Sequence, residues 1–109
     1  MTRLIIMCER PMHLRSDEAL AWLRREAGAL ARSDGVERVE LTELESAPLR
    51  WGRIWDWLIE IDLSDDATGR GLANGSACAA LLADMRLLGM RPAVAIADPA
   101  KKLALSPAR

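Results

Sequence analysis

The segment RIWDWLIEIDL, residues 53–63, decides the fold, because its apolar and charged side chains alternate. Its odd-numbered positions from 55 onward are all apolar, namely Trp55, Trp57, Ile59, Ile61 and Leu63. Its even-numbered positions include the carboxylates of Asp56, Glu60 and Asp62. Because successive side chains of a strand point to opposite sides, this period of two predicts a strand with one buried face.

The preceding segment, VERVELTELES at 36–46, alternates in the same way and places Val39 and Leu41 on one side. Pro and Gly between the two segments predict a loop, so the two strands form a hairpin. We expect the odd-numbered sides of both strands to face the core together. On the other side, the carboxylates of 53–63 are expected to be solvated or to pair with Arg3 and Arg38.

Two short apolar runs predict the other two strands of the sheet. RLIIMCE at 3–9 and RPAVAIAD at 91–98 are brief, rich in apolar residues and bounded by Pro or charged residues, as strands often are. Beyond them, residues 98–109 leave two interpretations open, a short extra strand or a mobile tail.

Apolar residues recur at helical spacing in 16–32 and again in 76–88. Ser16 is the predicted N-cap of the first helix, since its hydroxyl can accept a hydrogen bond from a free backbone N–H. Gly35 is a natural stop after the first helix and Gly89 ends the second, because glycine adopts the left-handed conformation that closes many helices. These signals predict two helices, one on each side of the hairpin.

The predicted order is β-α-β-β-α-β, which is typical of the ferredoxin-like plait, an α+β fold. Right-handed crossovers place both helices on one face of a four-stranded antiparallel sheet, with strand order 4-1-3-2. The length of 109 residues fits one domain, so residues 1–109 are predicted to form a single unit.

The first strand is apolar on both sides, with Leu4, Ile6 and Cys8 on one side and Ile5 and Met7 on the other. The strand at 93–97 has the same property. A strand that is apolar on both faces is usually covered on both, and two helices cover only one face. We therefore predict a homodimer that packs through the open face of the sheet.

Composition argues against several classes of partner. The net charge is −1 and the pI is about 5.8, whereas nucleic acids and anionic membranes attract basic surfaces. The apolar runs are shorter than the roughly 20 residues that span a bilayer. Two cysteines, Cys8 and Cys78, lie in apolar segments and are predicted to be buried thiols, which favours a cytoplasmic location. From the net charge and the short apolar runs, we expect no nucleic-acid and no membrane partner.

The predicted topology, over residues 3–98, resembles the dimeric α+β barrel superfamily. That superfamily includes cofactor-independent monooxygenases of aromatic polyketides, polyketide cyclases, muconolactone-isomerase-like enzymes and stress-responsive proteins. The resemblance implies a ligand cavity between sheet and helices, and an activity that needs neither a metal nor a bound organic cofactor. It is a resemblance of topology, and no motif of the chain accompanies it.

Five residues are candidates for such a site. His13, the sole histidine, follows the first strand, and histidine is the residue type best suited to proton transfer near neutral pH. Arg10 lies in the same connection and could hold an anionic ligand. Trp22, Trp55 and Trp57 are expected to form aromatic walls. One histidine beside Glu9 and Cys8 lacks metal-ligand spacing, so no metal site is predicted.

The sequence leaves open whether the protein is an enzyme. One hypothesis is an oxygenase, cyclase or isomerase that acts on a small aromatic or cyclic metabolite, with His13 as the proton-transfer group. The alternative is a non-catalytic dimeric module that binds a ligand or a protein. RNA binding ranks below both, because the chain is not basic and the tryptophans of the third strand are expected to face the helices.

Overall fold

A computed structural model describes residues 2–45, 55–64, 76–98 and 101. Its elements follow the predicted order: β1 (Thr2–Cys8), α1 (Ser16–Ala31), β2 (Val36–Glu43), β3 (Trp57–Leu63), α2 (Ser76–Leu88) and β4 (Ala93–Ala97). The predicted loop at 47–52 and almost all of the tail after residue 98 lie outside the described residues. The observed β1 is as long as its predicted segment and shifted by one residue, β2 and β4 are shorter than predicted, and β3 begins at Trp57.

The four strands form one antiparallel sheet in the order β2-β3-β1-β4. In the centre, Leu4 of β1 lies opposite Ile61 of β3, and Cys8 lies opposite Trp57. The sheet order and the two crossover helices confirm the ferredoxin-like βαββαβ plait. The period of two in β3 determines this register, because a slip by one residue would turn every apolar side chain to the wrong face.

One face of the sheet is covered by the helices and forms the core. Its side chains on β1 and β3 are at most 1% exposed: Leu4, Ile6, Cys8, Trp57, Ile59, Ile61 and Leu63. Ala19 and Leu23 of α1 and Met85 of α2 are fully buried against them. Burying one such aliphatic side chain contributes about 1.5–3 kcal/mol before entropy is considered. Packing on this face is therefore what holds the helices to the sheet.

The helix ends differ in part from the prediction. Helix α1 begins at Ser16, so the N-cap position falls on Arg15, which makes no side-chain capping bond, and the predicted Ser16 cap is wrong. Asp17 and Glu18 lie in the first turn, where they favour the positive end of the helix dipole. The predicted stop after α2 is confirmed, since Gly89 has a φ of 86°.

The opposite face, which we call the open face, has a charged end and an apolar end. At the charged end Arg3 Nε donates to Asp62 Oδ1 at 2.7 Å, Arg3 also pairs with Glu60 at 3.4 Å, and Arg38 pairs with Glu40. The predicted pairing with Arg3 is thus confirmed, whereas Arg38 pairs within its own strand. The apolar end consists of half-buried or exposed side chains of three strands, namely Ile5, Met7, Leu58, Ala93 and Ala95.

Strand β4 lies at the edge of the sheet and is covered less than predicted. Val94 and Ile96 lie opposite Ile6 and Leu4 and so share the helix-covered face. They remain 42% and 54% exposed, because the described parts of the helices do not reach this edge. No helix in the described part of the chain is long and apolar enough to cross a membrane.

Candidate functional site

The end of the sheet where β1 finishes brings together most of the candidate residues. Asp56, one residue before β3, connects three segments there. Its backbone N–H donates to the Cys8 carbonyl at 3.0 Å, its carbonyl accepts from Leu44 N–H at 2.9 Å, and its side-chain Oδ2 accepts from Arg10 N–H at 2.6 Å. The Asp56 carboxylate therefore fixes the start of the β1–α1 connection.

His13 lies in that connection and is exposed to solvent. A Cβ built on Gly89 would stand 3.7 Å from Pro11 Cβ and 4.0 Å from His13 Cε1, so the imidazole lies beside the turn that ends α2. Glu9 N–H donates to the Met90 carbonyl at 2.7 Å and ties the two connections together. His13 is thus held at the same end of the sheet as Asp56, with its ring accessible from outside.

Arg10 is also exposed. Its backbone is held by Asp56, while its guanidinium makes no ion pair with any residue that the structure describes. An unpaired guanidinium on an anchored backbone is able to receive a carboxylate or a phenolate. The structure thus places Arg10 and His13 three residues apart on one exposed connection.

Trp57 is the first residue of β3 and is 1% exposed, directly opposite Cys8 in the register. Its indole Nε1 is buried and has no hydrogen-bond partner among the described residues. A buried donor without a partner costs about 1–3 kcal/mol. Trp55 differs, since it precedes β3 and is only half-buried. The two indoles that alternation assigned to one face therefore lie in different surroundings.

Trp22 lies on α1, half-buried against the core. It lines a groove of about 370 Å³ on the outer side of the two helices, together with Leu14, Glu18, Ala21, Arg25 and Leu88. Trp55 and Trp57 are not part of that lining. The prediction that the three tryptophans and His13 serve one ligand site stays a prediction. Arg25 was missed from the sequence, although its position three residues after Trp22 places both on one side of a helix.

The two thiols are buried, as predicted, and are poorly suited to nucleophilic chemistry. Burial, together with the nearby Asp56 and Glu9 carboxylates, raises the pKa of Cys8 to about 12. Burial also raises the pKa of Cys78. A thiol that keeps its proton is neither a good nucleophile nor a good metal ligand. Within the described residues, no group of three or more His, Cys, Asp or Glu side chains could hold a metal ion.

Comparisons with known proteins support the fold. No protein-family model matches the chain, and neither does any curated protein. Among solved structures, an ethyl tert-butyl ether d (ethd) family protein from Bacillus halodurans shares 17% identity with a TM-score of 0.66, over 90% of this chain and 97% of that one. A further match is SnoaB, a cofactor-independent oxygenase from Streptomyces nogalater, at 15% identity and a TM-score of 0.64, over 94% and 95% of the two chains.

A third match is a dimeric ferredoxin-like protein of unknown function from Thermobifida fusca. It shares 14% identity with a TM-score of 0.60, over 87% of each chain. At these identities the likeness concerns the fold, and it extends along nearly the whole of each protein. The comparisons therefore show that the chain has a ferredoxin-like fold.

Proposed function

We propose that the protein is a small homodimeric α+β barrel protein that binds an aromatic or cyclic metabolite between its sheet and helices. The observation that carries the proposal is the buried indole N–H of Trp57, which lacks a partner among the described residues. A phenol, ketone or carboxylate oxygen of a ligand would accept this hydrogen bond and remove the cost of burying it. The core residues in the same cluster as Trp57 are apolar.

The chemistry we propose needs no metal and no bound organic cofactor. His13 would take a proton from a carbon next to a carbonyl, or from a phenol, and Arg10 would hold the resulting anion. Both side chains are exposed on the connection after β1, at the same end of the sheet as Trp57. The cofactor-independent oxygenase among the structural matches supports this class of reaction on this fold.

Dimerisation is the second part of the proposal. The open face presents Ile5, Met7 and Leu58 only half-buried, and a second copy would cover them. The dimeric match with the same fold supports this arrangement. Replacing Met7 by Lys should yield a folded monomer in light scattering, because the lysine charge would be buried in the proposed dimer interface. The control, Thr42→Lys, lies in the same row of the open face but on the outermost strand, and should stay dimeric.

The ligand site is tested with the Trp57→Phe variant, which replaces the indole by a smaller phenyl ring and so removes the N–H donor while keeping an aromatic side chain. We expect a panel of phenolic and cyclic ketone metabolites to contain a ligand that the native protein binds and Trp57→Phe binds at least tenfold more weakly. Its stability should change little, since loss of the unpaired donor offsets part of the lost volume. Equal binding by both proteins would show that Trp57 is only a core residue.

A non-catalytic ligand-binding or protein-interaction module is the second candidate. It is favoured by the setting of His13, whose side chain makes no hydrogen bond to any described residue, whereas a general base is usually oriented by a partner. The His13→Gln variant separates the two functions. If the protein is an enzyme, this variant should bind the ligand normally and lose turnover at least a hundredfold.

A further inference from the structure

The groove on the outer side of the helices is a second candidate ligand site, because its lining provides both apolar and charged contacts. Its lining combines an indole face, two leucines and two opposite charges: Trp22, Leu14, Leu88, Glu18 and Arg25. Ala21 completes the lining. Each apolar wall is half-buried and packed on the core, so the groove keeps its shape without a ligand.

The two charges of the groove are not equivalent. Glu18 Oε1 lies 4.0 Å from Arg15 Nε, which also pairs with Asp17 at 3.4 Å. Arg25 makes no ion pair with any residue in the described ranges. Glu18 and Arg25 are seven positions apart on the helix, about 10 Å along its axis. The end of the groove at Arg25 therefore carries a positive charge that nothing described neutralises.

We propose that this groove binds a small aromatic carboxylate, with its ring against Trp22 and its carboxylate on the Arg25 guanidinium. A planar guanidinium matches a carboxylate with two parallel hydrogen bonds, and the face of an indole suits a flat apolar ring. Glu18 at the far end repels the carboxylate and so fixes the direction in which the ligand lies. The volume of about 370 Å³ accommodates one or two fused rings.

This site is separate from the one proposed at Trp57, because the groove contains no residue of the sheet. A ligand there is accessible from solvent without any opening of the core.

The test uses 2-naphthoate as probe and follows the tryptophan indole N–H signals of the full chain by NMR, each assigned by substitution. We expect the Trp22 signal to shift on titration, and Arg25→Gln to weaken binding about tenfold, the effect of losing a charge-assisted pair. Arg24→Gln is the matched control, an exposed arginine adjacent in sequence that does not line the groove. Glu18→Gln should bind equally well or more tightly.

Three results would overturn the proposal. Equal weakening by Arg24→Gln and Arg25→Gln would show only a general attraction of the anion to the arginines of α1. Equal affinity for the cation 2-naphthylmethylamine would show apolar adsorption without recognition of the carboxylate. A shift of the Trp57 signal while that of Trp22 stays fixed would place the probe at the internal site, which would support the function proposed above and reject the groove.

Discussion

The two faces of one sheet differ sharply, although they belong to the same strands. On the helix-covered face, Ile6 is 0% exposed and lies among other fully buried side chains. On the open face, its neighbour Ile5 is only half-buried and lies opposite Glu60 of β3 and Ala95 of β4. Over β1 and β3 the covered face is closed within one chain, while the open face presents apolar side chains that no described element covers.

The open face is also divided along its strands. In the first row Arg3 lies between Asp62 and Ala97, and in the third row Met7 lies between Leu58 and Ala93. One end of the face is therefore held by ion pairs and the other end is apolar. A second copy packed on this face would gain most free energy by burying the apolar end, because removing the charged end from water carries a penalty. The helix-covered face is thus a core formed within one chain, whereas the open face is a proposed interface between two chains.

The largest expected effect comes from comparing Ile6→Ala with Ile5→Ala, the same substitution at adjacent positions on opposite faces. Ile6→Ala should lower the free energy of unfolding by about 3 kcal/mol, since it leaves a cavity in a closed core. Ile5→Ala should lower the stability of the isolated chain by less than about 1 kcal/mol. Urea denaturation followed by circular dichroism measures both.

Protein concentration is the control in that comparison. The loss at Ile6 should be much the same at all concentrations, whereas the loss at Ile5 should grow as the concentration rises into the range where the native chain dimerises. Equal losses that do not depend on concentration would contradict the division into a covered face and an interface. They would show that residues outside the described ranges close the open face within one chain.

Much of this fold could be predicted, because alternation is a local property of the sequence. The pattern of 53–63 predicted the buried face of β3, which the structure confirms. The double apolarity of residues 4–8 predicted that a second copy covers the other face, and this stays a prediction. The exposure of Val94 and Ile96 was not predictable in this way. It depends on how far the helices reach across the sheet, and helix position is determined by packing between distant segments.

The candidate site was less predictable, for the same reason. Composition identified Trp22, Trp55 and Trp57 as a group, but three-dimensional position separates them. Trp55 precedes β3 and is half-buried, whereas Trp57 lies in the strand and is 1% exposed. The unpaired N–H of Trp57 depends on what surrounds it, which no periodicity reveals. Arg25 is the exception, since its spacing from Trp22 on a helix was visible in the sequence.

The second-largest expected effect concerns the covered face alone and is the dependence of the free energy of unfolding on pH. The unfolded Cys8 thiol loses its proton above its ordinary pKa of 9.0, while the folded thiol keeps its proton until its pKa of about 12. Its contribution to stability is therefore complete below pH 9 and is lost as the pH rises toward 12. At pH 10 we expect the free energy of unfolding to be about 1 kcal/mol lower than at pH 8, as measured by urea denaturation at each pH.

The open face should contribute little to that loss. Asp62 raises the pKa of Arg3 above its ordinary value, so this guanidinium stays charged throughout the window. The Cys8→Ala variant is the control, because it removes the thiol and should lessen the decline between pH 8 and pH 10. A decline of the same size in that variant would contradict the assignment to Cys8 and leave Cys78, whose pKa is also raised by burial, as its source.

The smallest expected effect tests whether the charges of the open face stabilise the single chain. Glu40 of β2 lies directly opposite Glu60 of β3, and like charges in this position repel. Glu40→Gln keeps the shape of the side chain and should raise the free energy of unfolding by about 0.3 kcal/mol at low salt, with no gain at 1 M salt, where the repulsion is screened. Glu43→Gln, an exposed change on the same strand opposite Trp57, should have no such salt dependence.

A loss of stability in Glu40→Gln would mean that the pair with Arg38 outweighs the repulsion. In that case the charged end of the open face stabilises the single chain, as the covered face does. A second copy would then be needed only to cover the apolar side chains at the other end of the open face.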